Sequence, residues 1–137
     1  MSESMAVRLI WLAGCIHAGI VLVNFPLPGQ LRLREGMATV PAFLRQIFYV
    51  HWVYIVLTVA WFSALCFGFA HELAGASALG RFLSAFMAGF WLLRILLQCF
   101  YYDRGVRRAH RLLDALYTVS LVMLTGIFGW VATHPAG

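Results

Sequence analysis

Four long apolar runs alternate with three short segments rich in polar residues, Gly or Pro. The runs cover about residues 5–25, 43–70, 80–102 and 112–133. Each exceeds the roughly 18 apolar residues that mark a membrane-crossing helix. None shows the two-residue alternation of a barrel strand, and a helix satisfies its own backbone where lipid offers no partners. The second run is longer than one crossing needs, so it tilts or starts in the interface. Residues 26–42 carry three Pro and two Gly and read as a loop with a short turn near Leu31–Glu35. Residues 71–79 and 103–111 are short connections, which favour antiparallel neighbours. The pattern predicts an all-α fold: an integral membrane four-helix antiparallel (up-down) bundle, one transmembrane domain over residues 1–137.

Composition narrows the surroundings. Of 137 residues, 63% are hydrophobic and 11% charged, and mean hydropathy is +0.85. Too few charges are present to cover a water-soluble globule of this size, and a disordered chain would be far more polar. The apolar stretch from Met5 to Phe25 is long for a signal-peptide core, and no small-x-small cleavage site precedes Pro26, so it reads as a retained helix. Cys15, Cys66 and Cys99 each lie inside an apolar run with no C-x-x-C, which speaks against a disulfide framework.

Charge then supplies an orientation. The net charge is +5, and all ten basic residues are Arg. Seven of them, Arg32, Arg34, Arg45, Arg104, Arg107, Arg108 and Arg111, fall on the side of the first and third connections, against Arg8 and Arg81 on the other. The positive-inside rule makes the first side cytoplasmic and places both termini outside, in the periplasm if the bilayer is a Gram-negative inner membrane. Tyr49, Tyr101 and Tyr102 fall near the inner interface and Trp130 near the outer one, as an aromatic belt would. Arg104, Arg107, Arg108 and Arg111 share a helical stripe and read as a lipid-headgroup cluster. Arg residues at helix ends beside apolar runs do not suggest nucleic-acid binding.

Candidate chemistry is confined to the polar residues that topology leaves unexplained. Arg94 stands about eight residues, or about 12 Å, before the end of its run, where a cation is costly. His17 and His51 stand at a similar count from the inner ends of their runs, so an up-down bundle puts His17, His51 and Arg94 in one layer. On the third run Ser84, Met87, Trp91, Arg94, Gln98 and Tyr101 share one helical face. Gly14, His17, Val21 and Asn24 do so on the first run, and His51, Tyr54 and Thr58 on the second. Asp114, Tyr117 or Thr118, Leu121 and Thr125 do so on the fourth. The small residues Gly14, Ser84, Ala88 and Ser120 suit close helix contacts.

Three functions fit this layer. His17, His51, Tyr54, Arg94, Gln98 and Tyr117 can hydrogen-bond the carbonyls of a quinone or the head of a lipid, in a small binding or accessory subunit. His17 and His51 can instead be the axial ligands of a haem b in a redox subunit. Both can equally be interhelical hydrogen-bonding groups in a purely structural or assembly protein. Asp114 is the nearest acid to neutralise Arg94 across the bundle, with Glu35 as the alternative. His71-Glu72 has too few neighbours in sequence for a metal site. No P-loop, G-x-G-x-x-G, H-E-x-x-H or Ser-His-Asp pattern occurs, so no catalytic residue is assigned. A transporter lacks an acidic path or a broken helix. The bilayer is the one partner implied outright; a larger membrane complex, a homo-oligomer or a hydrophobic small molecule are further candidates.

Overall fold

A computed structural model describes residues 2–30, 32–101 and 111–135. Its four long helices are α1 (Glu3–Asn24), α4 (Ala42–Gly68), α6 (Ala78–Phe100) and α7 (Arg111–Thr133). All four are long and apolar enough to cross a membrane. Single-turn helices α2 (Leu27–Gln30) and α3 (Leu33–Gly36) occupy the Pro/Gly-rich segment, and α5 (Ala70–Ala74) occupies the connection between α4 and α6. No strand occurs among the described residues.

Local chemistry sets the boundaries. The α1 helix stops just before Pro26, whose ring and missing N–H prevent continuation. Pro41 stands at the N-cap of α4, where no donor is needed. Phe69, with φ −131° and ψ 34°, leaves helical geometry and separates α4 from α5. Ser77 caps α6 by accepting a 3.0 Å hydrogen bond from the Gly80 N–H. Gly80 is required there because a Cβ at this position would overlap the Glu72 carbonyl oxygen of α5. Ser84, one turn on, donates to the Leu73 carbonyl at 3.1 Å and ties α6 to α5 again.

The closest backbone neighbours are α6 with α7 and α1 with α4; α1 also meets α5 and α7. Ser63 of α4 donates to the Gly14 carbonyl of α1 at 3.0 Å. A Cβ on Gly14 would stand 3.0 Å from both Cys66 Cβ and Phe67 Cζ, so the close approach of α1 and α4 depends on the missing side chain. Helices α4 and α6 meet through rings, with Phe62 edge-on to Phe86, Phe90 and Trp91. Ile10, Leu73, Met87, Trp91, Leu121, Leu124, Phe128 and Val131 fill the core.

Three of the four expected stripes face inward. On α6, Ser84, Met87, Trp91 and Gln98 are buried and Arg94 half-buried, while Tyr101 at the helix end is exposed. On α1, Gly14 and His17 are buried, with Val21 and Asn24 half-buried. On α7, Leu121 is buried, and Asp114, Tyr117, Thr118 and Thr125 are half-buried. The α4 stripe is the exception. Its buried residues are Val59, Phe62, Ser63 and Cys66, whereas His51 and Tyr54 are exposed and Thr58 is half-buried.

Candidate functional site

His17 is completely buried and has a partner at each ring nitrogen. Its Nδ1 lies 2.7 Å from the Ala13 carbonyl oxygen, one turn back on α1. A carbonyl only accepts, so Nδ1 carries the proton. Nε2 is then the acceptor, and the Trp91 indole N–H of α6 donates to it at 3.0 Å. Three rings close around the imidazole: Phe62 of α4, edge-on at 5.7 Å, Trp91 at 5.3 Å and Phe128 of α7 at 5.8 Å. All four long helices therefore contribute a side chain to one buried aromatic cluster. A buried Trp N–H needs an acceptor, and His17 supplies it.

One turn further along α6, the surroundings become polar. The half-buried Arg94 guanidinium carbon lies 5.5 Å from the centre of the Tyr117 ring of α7, within cation–π range. Gln98 comes one turn after Arg94 and is 5% exposed. Its side-chain amide donates to Asp114 Oδ1 at 3.0 Å and to Thr118 Oγ1 at 2.9 Å. Thr118 in turn donates to the Asp114 carbonyl at 2.7 Å. Arg94 with Tyr117, and Gln98 with Asp114 and Thr118, thus make polar contacts between α6 and α7 on successive turns.

The six expected ligand-contacting residues are divided by this arrangement. Arg94, Gln98 and Tyr117 come together, and His17 lies about one turn away, sealed in its ring cluster. His51 and Tyr54 do not join them. The level of His17 on α4 is marked by Phe62, and His51 precedes Phe62 by about three turns, or about 16 Å of helix. The single layer of His17, His51 and Arg94 is therefore corrected. The ends of the apolar runs do not share a level, because α4 begins well beyond the last turn of α1. His51 Nδ1 bonds its own helix, at 2.8 Å from the Ile47 carbonyl.

This donor set does not fit a haem held between His17 and His51. Both nitrogens of His17 are committed, and His51 stands on an exposed surface in another layer. Among the described residues, no group of three or more His, Cys, Asp or Glu side chains is placed to hold a metal ion. His71 instead pairs with Glu3 of α1 at 3.1 Å, on the exposed surface. Of the basic cluster, Arg111 opens α7 and is exposed. Arg104, Arg107 and Arg108 lie outside the described residues.

Two roles were not assigned from sequence. Trp91 stands on the expected α6 face, but its role as the donor to His17 was not read from it. Its indole N–H, inside an apolar run, was the available signal. Asp114 and Thr118 were placed on the right face of α7, and their shared partner proved to be Gln98. Comparison of the chain with protein-family models, curated proteins and solved structures gives no match.

Proposed function

We propose that this chain is a small multi-pass inner-membrane protein that holds the polar head of a quinone or lipid-like molecule at the Arg94 group, as a binding or accessory subunit. The four helices then form one domain, an antiparallel up-down bundle. In support, Phe67 and Phe62 late in α4 meet Gly14 and His17 of α1. Arg81 early in α6 donates to the Ala132 carbonyl late in α7, while Gln98 late in α6 meets Asp114 early in α7. The exposed large apolar side chains on every long helix suit lipid and not water.

The observation that carries the proposal is the contrast between the two polar layers. His17 is sealed on all sides, whereas Arg94, six residues before the end of α6, is half-buried as a residue while its guanidinium Nη1 is buried. An arginine at the centre of a membrane-spanning helix costs about 2.5–3.5 kcal/mol, and cations retained within such helices face the bundle interior, a partner or a cavity. Tyr117 orients the guanidinium plane. Gln98 fixes Asp114 and Thr118 beside it. Such a group offers cationic donors for a carbonyl or phosphate oxygen, together with the Asp114 carboxylate as an acceptor for a hydroxyl. Arg104, Arg107, Arg108 and Arg111 serve as the lipid-headgroup cluster on the cytoplasmic side, with both termini periplasmic.

Extraction and mass spectrometry of detergent-purified protein tests the site. Wild type and His51→Leu are expected to carry the same co-purified quinone or lipid, and Arg94→Leu to lose it. Equal occupancy in Arg94→Leu would remove the assignment. Orientation has its own test. A single cysteine at position 106 is expected to react with impermeant thiol reagents only from the cytoplasmic face.

A further inference from the structure

The polar contacts between α6 and α7 set a guanidinium and a carboxylate on neighbouring levels. Arg94 comes six residues, about 9 Å, before the end of α6, and Gln98 follows it by one turn. Gln98 holds Asp114 at its own level through the 3.0 Å bond to Oδ1. The levels of Arg94 and Asp114 are thus one helical turn, about 5.4 Å, apart, with the cation the deeper of the two. This order bears on the kind of head the group takes. A phosphate drawn to the level of Arg94 would bring a further ion into the apolar layer, and would bring it close to a carboxylate of like charge. A neutral head carries neither penalty. It needs an oxygen that accepts from Arg94, which only donates, and a hydroxyl that donates to the Asp114 carboxylate, which only accepts.

A para-hydroquinone meets both demands. Its two oxygens stand at opposite ends of a six-membered ring, a span close to one helical turn, and the ring between them is apolar. Tyr117, whose ring centre lies 5.5 Å from the Arg94 guanidinium carbon, offers an aromatic neighbour to that ring. We propose that the Arg94 group takes a para-hydroquinone head in preference to a phospholipid head, with one ring oxygen accepting from Arg94 and the opposite hydroxyl donating to Asp114. This rests on the reading that the group holds the head of a quinone or lipid-like molecule, and narrows it to one ligand class and one oxidation state. The oxidised quinone has two acceptor oxygens and no hydroxyl. It keeps the bond from Arg94 but meets Asp114 acceptor to acceptor, so it binds more weakly. Gln98 and Thr118 are positioning residues: Gln98 donates to Asp114 Oδ1 and to Thr118, and Thr118 donates to the Asp114 carbonyl.

Anaerobic equilibrium dialysis of the full-length protein in mixed micelles tests this, with a short-chain ubiquinol, the matching ubiquinone and phosphatidylglycerol as probes. Wild type is expected to bind the ubiquinol saturably and the ubiquinone about tenfold more weakly, through the loss of one hydrogen bond to a charged group. Excess phosphatidylglycerol should displace neither. Arg94→Leu should lose both quinoid probes. Asp114→Asn, whose amide donates as well as accepts, should erase the preference for the reduced form. The wild-type preference needs no variant, so it tests the proposal even where a substitution unfolds the chain. Ubiquinone bound as tightly as ubiquinol by wild type overturns the proposal, as does a preference that survives in Asp114→Asn. Phosphatidylglycerol bound saturably by wild type and lost in Arg94→Leu, with no ubiquinol bound, overturns the hydroquinone and leaves the broader reading of the site standing. Saturable binding of none of the three probes overturns both.

Discussion

At the scale of single residues, the bond between Trp91 and His17 decides how the centre of the molecule is held. In an apolar medium, the hydrophobic effect gives helices little reason to associate, and packing and interhelical hydrogen bonds carry more of the burden. Trp91 donates to a fully buried nitrogen whose other side is fixed by Ala13. Trp91→Phe keeps a large ring but leaves that nitrogen without a donor. It is expected to cost about 1–2 kcal/mol, read from denaturant titration in mixed micelles. His17→Leu combined with Trp91→Phe should cost less than the sum of the two, because each variant removes the same bond. Additive losses would show that the pair does not act as one unit. If the Arg94 group holds the proposed ligand, its occupancy should be unchanged in Trp91→Phe, because the lost bond lies in the ring cluster.

At the scale of elements, the α1–α4 contact depends on one glycine. Gly14→Ala would push a methyl group against Cys66 Cβ, which cannot move without its backbone. Overpacking of this kind costs about 1–3 kcal/mol. The melting temperature in detergent should fall, while Gly19→Ala, where the same helix has open space around it, should leave it unchanged. Apolar length announced the helices, because about 20 residues of hydrocarbon thickness leave few alternatives. Helix periodicity also marked the inward faces of α1, α6 and α7, so Gln98, Asp114 and Thr118 could be placed on facing stripes. Register between helices was not legible in the same way. Apolar runs mark where lipid begins and ends for each helix, not how one helix slides along its neighbour. That sliding is set by local contacts such as Gly14 against Cys66 and Ser63 on the Gly14 carbonyl. His51 therefore shared a count with His17 but not a layer.

At the scale of the whole molecule, two helix pairs are joined by α1 against α7, by the α5 corner and by the rings around Phe62. The ring cluster is closed, and beside it Arg94, Asp114, Tyr117 and Thr118 are half-buried around the buried Gln98. The ring cluster and the proposed binding group are thus separated along α6 by a single turn, between Trp91 and Arg94. A ligand that binds the folded protein at the Arg94 group must raise its melting temperature, by mass action. The direct measurement is a thermal-shift titration of purified wild type and Arg94→Leu with a short-chain ubiquinone and, separately, with phosphatidylglycerol in mixed micelles. The account predicts a saturable rise for wild type with one of the two probes and no rise for Arg94→Leu. An equal rise in both proteins, or no saturable rise in wild type with either probe, would contradict it.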